Sequence, residues 1–361
     1  MSSWEDQVRK VTPYTPGEQP QQKNVVKLNT NENPYPPSPM VAEAIRQTDT
    51  DALRLYPDPT AGKLVRAIAD YYRVKPSQVF VGVGSDDVIA MCFLTLFNSD
   101  RPVLFPDITY SFYEVWAEAF RVRYRKVPLN DSFGIDPEDY ACENGGVIFP
   151  NPNAPTGIEM PQDSIEKIVK ANPDTVVIVD EAYVDFGARS ALPLVEKYDN
   201  LLVVQTFSKS RQMAGMRIGF AIGSEKLIRY LSDMKYSFNS YTMNRVTIEA
   251  GTAAIADDAY FKETCRKIAG TREWAKEEFR RRGFTFGDSM ANFIFVKHSS
   301  VPASRLFERL REKNIFVRYF RQPRIDNYLR VTVGTREQME KLFAALDEMI
   351  PGGGEQERTR G

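Results

Sequence analysis

Val176-Val177-Ile178-Val179-Asp180-Glu181-Ala182-Tyr183 is the stretch from which the rest of the chain can be read. Its first half is an unbroken run of β-branched residues with no polar alternation, the pattern of a strand covered on both faces. Similar short runs recur at Val79 to Val81, Val103 to Phe105, Val147 to Phe149, Leu201 to Val204 and Ile218 to Ile222. Between several of them the apolar residues fall at helical spacing. Leu64, Val65, Ile68, Ala69 and Tyr72 precede the first run, Asp87 to Phe97 follows it, and Ser164 to Lys170 comes later. This alternation predicts an α/β fold, an open and mostly parallel sheet with helices on both faces.

The pattern changes beyond about Ser224. Helical stretches at Glu225 to Met234, Asn244 to Ala256 and Tyr260 to Arg282 are followed by a strand at Asn292 to Val296 and a helix at Ala303 to Lys313. Strands at Ile315 to Tyr319 and Tyr328 to Val333 and a helix at Arg336 to Met349 complete it. The expected division is an N-terminal arm over 1–35 that joins the small domain, a large α/β domain over 36–240, a small α+β domain over 241–350 and a disordered, Gly-rich tail over 351–361. Pro34 to Pro39 reads as an extended linker, and the chain has no internal repeats.

The 361 residues can bury a sizeable core, and 42% hydrophobic with 26% charged residues is ordinary for a globular protein. A formal net charge of −1 argues against bulk attraction to nucleic acid or acidic membranes. Cys92, Cys142 and Cys265 are scattered and odd in number, which fits free thiols in a reducing compartment better than disulfides or a metal site. The single histidine, His298, excludes most histidine-based chemistry and reads as structural. The charged N-terminus lacks the apolar core of a secretory signal, and no run approaches the ~20 residues needed to span a bilayer. A cytoplasmic protein is expected.

Four segments carry chemistry. In the opening stretch, Asp180 ends an apolar strand, where burial is costly without a cationic partner such as a protonated ring nitrogen; a cap on the next element is the plainer reading. Thr206-Phe207-Ser208-Lys209, followed by Gly215-Met216-Arg217, sets a lysine just past another buried strand. Desolvation and nearby cations activate such an amine toward an aldehyde, and the hydroxyls with Arg217 offer donors to a phosphate. Taken alone, it fits a solvated strand-end Ser-Lys pair equally well. Asn151-Pro152-Asn153-Ala154-Pro155-Thr156-Gly157 forms a rigid loop at a strand's C-terminal end, where open α/β sheets bind ligands. Gly82-Val83-Gly84-Ser85-Asp86-Asp87 lacks the third glycine of a dinucleotide fingerprint, which disfavours a nicotinamide-dependent oxidoreductase, yet its turn into a helix offers backbone N–H groups to one phosphate.

Together and in this order, Asn-Pro-x-x-Pro-Thr-Gly, Asp-Glu-Ala-Tyr, Ser-Lys and Gly-Met-Arg resemble the fold-type-I pyridoxal-phosphate aminotransferases. The resemblance narrows to the histidinol-phosphate aminotransferase family through Thr12-Pro13-Tyr14-x-Pro16-Gly17, Leu28-Asn29-Thr30-Asn31-Glu32-Asn33-Pro34 and Tyr56-Pro57-Asp58-Pro59. Phe316-Val317-Arg318-Tyr319-Phe320 and Leu329-Arg330-Val331-Thr332-Val333-Gly334-Thr335 extend it, so that it runs from about Val11 to Ile350.

The resemblance implies pyridoxal 5'-phosphate as cofactor, held through an imine on Lys209, which later shuttles the substrate's Cα proton. It implies that Asp180 pairs with the ring nitrogen, that Tyr183 contacts the ring oxygen and that Tyr110 stacks on the ring. Ser85, Asp86, Thr206, Ser208 and Arg217 would hold the phosphate, with Tyr56 reaching it from the neighbouring subunit of a homodimer. Arg330 would bind the carboxylate of the acceptor 2-oxoglutarate, and Tyr14 and Arg318 the phosphate of the amino-alcohol donor. The family often has Asn where this chain has Ala154, so Asn153 is expected to take over the ring-oxygen contact beside the substrate. Arg321 and Arg324 are expected to thicken the positive charge. An aromatic aminotransferase or a threonine-phosphate decarboxylase on the same scaffold would keep Lys209, Asp180 and Arg217. A non-enzymatic sensor of this fold would need an added DNA-binding domain, and the intact Lys209 speaks against a dead site.

Overall fold

The computed structural model describes residues 4–22 and 24–350; the tail expected over 351–361 lies outside them. In chain order, β1 (Val26–Leu28), α1 (Pro39–Arg46) and α2 (Gly62–Tyr72) lead into β2 (Val79–Gly82), α3 (Gly84–Leu96), β3 (Val103–Pro106), α4 (Phe112–Phe120) and β4 (Tyr124–Val127). Next come β5 (Gly146–Pro150), α5 (Gln162–Ala171), β6 (Val177–Asp180), β7 (Leu201–Thr206), β8 (Gly219–Gly223), α6 (Glu225–Phe238) and α7 (Arg245–Ala256). The chain closes with α8 (Asp258–Arg281), β9 (Phe284–Phe286), β10 (Phe293–His298), α9 (Ala303–Glu312), β11 (Ile315–Tyr319), β12 (Leu329–Thr332) and α10 (Arg336–Asp347).

Seven strands form one sheet in the order β2-β8-β7-β6-β5-β3-β4, parallel except that β8 runs against both β2 and β7. The side-chain period of two explains why its strands read as continuous apolar runs. Val147, Phe149, Val177, Val179, Leu201 and Val203 pack on one face with α1, α2, α5 and α7. Ile148, Ile178, Leu202 and Val204 pack on the other with α3, α4 and α6. Neither face meets water, so neither needs polar residues.

The second sheet has the order β1-β11-β12-β10-β9 and rests on α8, α9 and α10. In it β1 pairs parallel with β11, Val26 opposite Ile315, which ties the N-terminal arm to the C-terminal part. The expected change of domain at 240 falls before α7, yet Ile248, Ala250, Ala254 and Ile255 of α7 belong to the core of the first sheet. Three strands have no counterpart in the sequence reading, β1, β4 and β9, and β9, like β1, spans only three residues. At the sheet's edge β4 exposes Arg125 and Lys126, so its apolar content is low, and β1 is only three residues long. Pro39, the end of the expected linker, instead begins α1, whose N-cap Ser38 accepts from the Met40 N–H at 3.1 Å.

His298 is buried; its Nδ1 accepts from the Ser300 and Val301 N–H groups at 3.1 and 2.9 Å, and its Nε2 lies 2.9 Å from the Arg282 carbonyl oxygen. These bonds tie the end of β10 to the turn after α8. Among the described residues no helix is long and apolar enough to cross a membrane.

Candidate functional site

The parallel strands β5, β6 and β7 end together, and their C-terminal ends open into a cavity of about 180 Å³. Ser85, Asp86, Tyr110, Asp180, Tyr183, Thr206, Ser208, Lys209 and Arg217 all line it. An adjoining cavity of about 440 Å³ shares Asp86, Tyr110, Tyr183, Lys209 and Arg217 and adds Tyr14, Arg318 and Arg330. Residues from one end of the chain to the other thus meet at the place where open α/β sheets bind ligands.

Asp180 closes β6 and is 4% exposed. One carboxylate oxygen accepts from the Tyr113 O–H at 2.8 Å and the other from the Ala182 N–H at 3.2 Å. Burial pushes this carboxyl up to about 6, against those two bonds. Among the described residues it forms no ion pair, so an acid sits buried without the cation that its ionised form requires.

Lys209 follows β7. Its Nζ donates to the Thr30 carbonyl oxygen at 3.3 Å and lies 5.8 Å from the centre of the Tyr183 ring. The Tyr183 hydroxyl accepts from Asn31 Nδ2 at 3.0 Å, which leaves its own proton to be donated elsewhere. Tyr110 is half-buried, and its hydroxyl donates to Asp86 at 2.8 Å.

One end of the smaller cavity is built on the first turn of α3, whose N–H groups have no partner within the helix, a setting that suits an anion. Gly84 takes φ +85° there, and a Cβ on it would run into the Arg217 guanidinium. Gly219 of β8 lies so close to this turn that a Cβ would strike the Ser85 nitrogen and the Gly84 carbonyl. Arg217 is held at φ 54° with its guanidinium 3.0 Å from the Asp86 carboxylate. That pairing changes the expected part of Asp86. Its side chain accepts from Arg217 and Tyr110, which leaves its backbone N–H as the only donor it could offer an anion. The Thr206 hydroxyl accepts from the Ser208 N–H at 3.2 Å and lies 3.0 Å from the Ser208 hydroxyl.

Asn153 is placed differently from the expectation. Its amide donates to the Ile108 carbonyl at 3.0 Å and to the Thr156 hydroxyl at 3.2 Å, and it accepts from Thr109 at 3.1 Å. With these bonds made, Asn153 braces the loop between β5 and α5, and Ala154 rather than Asn153 lines the cavity.

On the substrate side Tyr14 stacks on Phe112 with ring centres 4.3 Å apart. Arg318 of β11 and Arg330 of β12 stand directly opposite each other. The Arg330 guanidinium donates to the Asn29 carbonyl at 2.9 Å and packs 5.4 Å from the Phe293 ring, while its Nε is buried without a partner. Burial, and to a lesser degree Arg318, pull its pKa below the ordinary arginine value. Arg324, expected to add charge here, is instead bonded to Asp107 at 3.1 Å and to the Leu129 carbonyl at 2.8 Å. Arg321 is exposed and does not border either cavity. Tyr56 lies outside its own site: it is 80% exposed and packs on Tyr241 at 4.6 Å.

Two contributors were missing from the sequence reading. Asn31 stood inside a quoted motif without a role. Tyr113 had one available signal, its spacing of three from Tyr110, which puts both phenols on one side of a helical turn.

The family profile for aminotransferase class I and II matches residues 23–346. Histidinol-phosphate aminotransferase 1 of Hydrogenovibrio crunogenus is 52% identical over 347 residues, covering 96% of this chain and 98% of its own. Histidinol-phosphate aminotransferase 2 of Dechloromonas aromatica is 53% identical over 351 residues, with 96% and 98% covered. Among solved structures, the histidinol-phosphate aminotransferase of Sinorhizobium meliloti in complex with pyridoxal-5'-phosphate superposes with a TM-score of 0.81 at 26% identity, covering 90% of each chain. The fold, the meeting of these residues at the ends of β5 to β7 and the near-full-length similarity agree: this chain belongs to the class I and II aminotransferases, in the histidinol-phosphate aminotransferase family.

Proposed function

We propose that this protein transfers the amino group of L-histidinol phosphate to 2-oxoglutarate, yielding imidazole acetol phosphate and L-glutamate, with pyridoxal 5'-phosphate held at Lys209. The observation that carries the reading is the pair of guanidiniums, Arg318 opposite Arg330, bordering the cavity that also contains Lys209. Like charges directly opposite in a sheet repel, and a bound anion turns that repulsion into attraction. Histidinol phosphate brings a phosphate, and 2-oxoglutarate brings two carboxylates.

The residues present fit the cofactor. Asp180 is a buried acid without a cation and suits a protonated ring nitrogen. The turn of α3, Ser208, Thr206 and Arg217 suit a phosphate, and Lys209 lines the same cavity. When bound, pyridoxal phosphate supplies an electron-accepting ring that makes the amino donor's Cα–H acidic.

The chain's own residues supply the rest. Lys209 would hold the cofactor through its Nζ, and the same amine, once free, would carry the substrate's Cα proton. It is already in place, so little entropy is lost at that step. Tyr110 would wall the ring, and Tyr183, whose hydroxyl accepts from Asn31, would donate to the ring oxygen. Arg330 receives the acceptor's carboxylate, and Arg318 with Tyr14 receives the donor's phosphate.

The same reading makes the enzyme a homodimer in which Tyr56 serves the partner's phosphate site. Its exposure, with that of its sequence neighbours Leu53 and Leu55 and of Tyr241, which packs on it, supports that. Substrates of this kind are soluble metabolites, which goes with a cytoplasmic location.

The test is a half-reaction titration. Holoenzyme is mixed with histidinol phosphate and, in parallel, with phenylalanine and phosphothreonine, while the cofactor's absorbance is followed. Conversion by histidinol phosphate at the lowest concentration is expected. Preferential conversion by phenylalanine would move the substrate to the aromatic class, and release of carbon dioxide from phosphothreonine would make the protein a decarboxylase.

A further inference from the structure

Tyr110 and Tyr113 stand one helical turn apart at the start of α4, with their rings edge to face at 5.7 Å. Each phenol ends on a carboxylate. Tyr110 donates to Asp86 at the beginning of α3, and Tyr113 donates to Asp180 at the end of β6. Tyr113 is fully buried, packed on Phe105 at 5.9 Å and Trp116 at 6.4 Å, so no water competes for its hydroxyl. Burial, and next the charge of Asp180, hold its phenol well above the ordinary tyrosine range, and it stays a donor across the working pH.

The groups facing Asp180 come from four elements: Tyr113 from α4, the Ala182 N–H from the turn after β6, Asp86 from α3 and Lys209 from the loop after β7. Asp86 favours the protonated acid, and Lys209 favours the ionised one. Tyr110 and Tyr183 face Tyr113. Among the described residues two groups bond the Asp180 carboxylate, and Tyr113 is the only side chain of the two.

We propose that Tyr113 is a positioning residue: its O–H keeps Asp180 ionised and weakly basic, so that the proton between Asp180 and the cofactor's ring nitrogen stays on the nitrogen. The proposal rests on the cofactor placement given above. A hydrogen bond to the charged form of an acid favours that form, whereas burial pulls the other way. Without the phenol proton, the more basic carboxylate takes the proton: the N–H bond breaks, an O–H bond forms, and a neutral pair replaces the ion pair. The ring then draws less charge from the substrate's Cα.

The experiment uses wild-type and Tyr113→Phe holoenzyme carrying pyridoxal phosphate labelled with 15N in the ring, together with cofactor titrations of the apoenzymes across pH. In the wild type the 15N resonance is expected in the protonated range; an unprotonated wild type would refute the cofactor placement itself. In Tyr113→Phe the resonance moves toward unprotonated pyridine. The acid limb of cofactor affinity moves up by about one pH unit, which is about tenfold weaker binding below the limb and equal binding well above it. In turnover, kcat falls while KM for histidinol phosphate holds. Difluorotyrosine at position 113 keeps the shape but donates more strongly, so it moves the limb to lower pH and decides the matter if Tyr113→Phe does not fold. A loss of thermal stability with the nitrogen resonance and the limb unmoved would reduce Tyr113 to a packing residue and overturn the proposal.

Discussion

Replacing Arg318 by alanine separates two consequences of one geometry that have opposite sign. Arg318 and Arg330 face each other across β11 and β12, and the half-buried Arg330 has its Nε buried and unpartnered. In the ligand-free protein this juxtaposition costs on the order of 0.2–1 kcal/mol. Arg318→Ala relieves it, so the empty protein should melt no lower than wild type and up to about 2 °C higher. With a phosphorylated donor the sign reverses. Losing one or two charge-assisted hydrogen bonds costs about 2–4 kcal/mol, which is about 30- to 1000-fold in kcat/KM for histidinol phosphate. Phenylalanine offers no phosphate, and its kcat/KM should change by less than about threefold. Steady-state transamination with both donors, beside calorimetric melts of the apoenzyme, reads all three quantities. Equal losses for the two donors would show that Arg318 supports the site generally. An unchanged rate with histidinol phosphate would remove it from substrate recognition altogether.

Mixing Lys209→Ala with Tyr56→Phe subunits checks the dimer: heterodimers rebuild one complete site, so an equal mixture should recover about a quarter of wild-type activity if reassortment is complete, and no recovery would place Tyr56 outside the partner's site. Gly219→Ala puts a methyl group into the backbone of Gly84 and Ser85, a clash that only a shift of β8 from α3 relieves, so cofactor dissociation measured by absorbance should rise more than about tenfold, on the scale of overpacking costs. The pH dependence follows from two buried acids, Asp180 pushed up to about 6 and Glu181 to about 7, mainly by burial. Below the unfolded values both states carry the protons; as pH rises the unfolded chain loses them first, so apoenzyme stability should fall between about pH 4 and 7. Urea unfolding of apoenzyme and holoenzyme reads this, and the slope should be shallower with cofactor bound, because a cation on Asp180 removes its share.

How much of this was legible in the sequence depends on whether the signal is local. The strands β2, β3, β5, β6, β7 and β8 announce themselves because each is apolar on both faces, and residues that line the cavity lie at their ends: Asp180 closing β6, Lys209 just after β7 and Arg217 just before β8. The edge strand β4 and the three-residue β1 carry no such excess of apolar residues. Tyr113 goes unread for a different reason. It lies in an aromatic stretch, Phe112-Tyr113-Glu114-Val115-Trp116, that reads as core, and only the register of α4 against β6 turns its hydroxyl to an acid 67 residues away.

Ala154 shows how a local substitution is answered by distant structure. The reading by analogy moved the ring-oxygen contact one residue back, to Asn153, because that amide was the nearest replacement in sequence. Three bonds to Ile108, Thr156 and Thr109 hold Asn153 in the loop, and releasing it would leave those partners unsatisfied in a buried place. The replacement in space is Asn31, carried by the arm that follows β1. It donates to the Tyr183 oxygen, while its own backbone N–H and its side-chain oxygen are both bonded to the Thr332 hydroxyl, at 3.0 and 3.1 Å. An acceptor occupied in this way makes the Tyr183 proton a stronger donor, so one phenol would do the work of a phenol and an amide toward a bound ring. Asn31→Ala should therefore weaken the ring-oxygen contact in this chain far more than Asn153→Ala, whose cost should appear as lost thermal stability. The two variants compared by the pH dependence of the cofactor's absorbance would separate the assignments, and a larger spectral shift in Asn153→Ala would restore the contact that the sequence alone suggested.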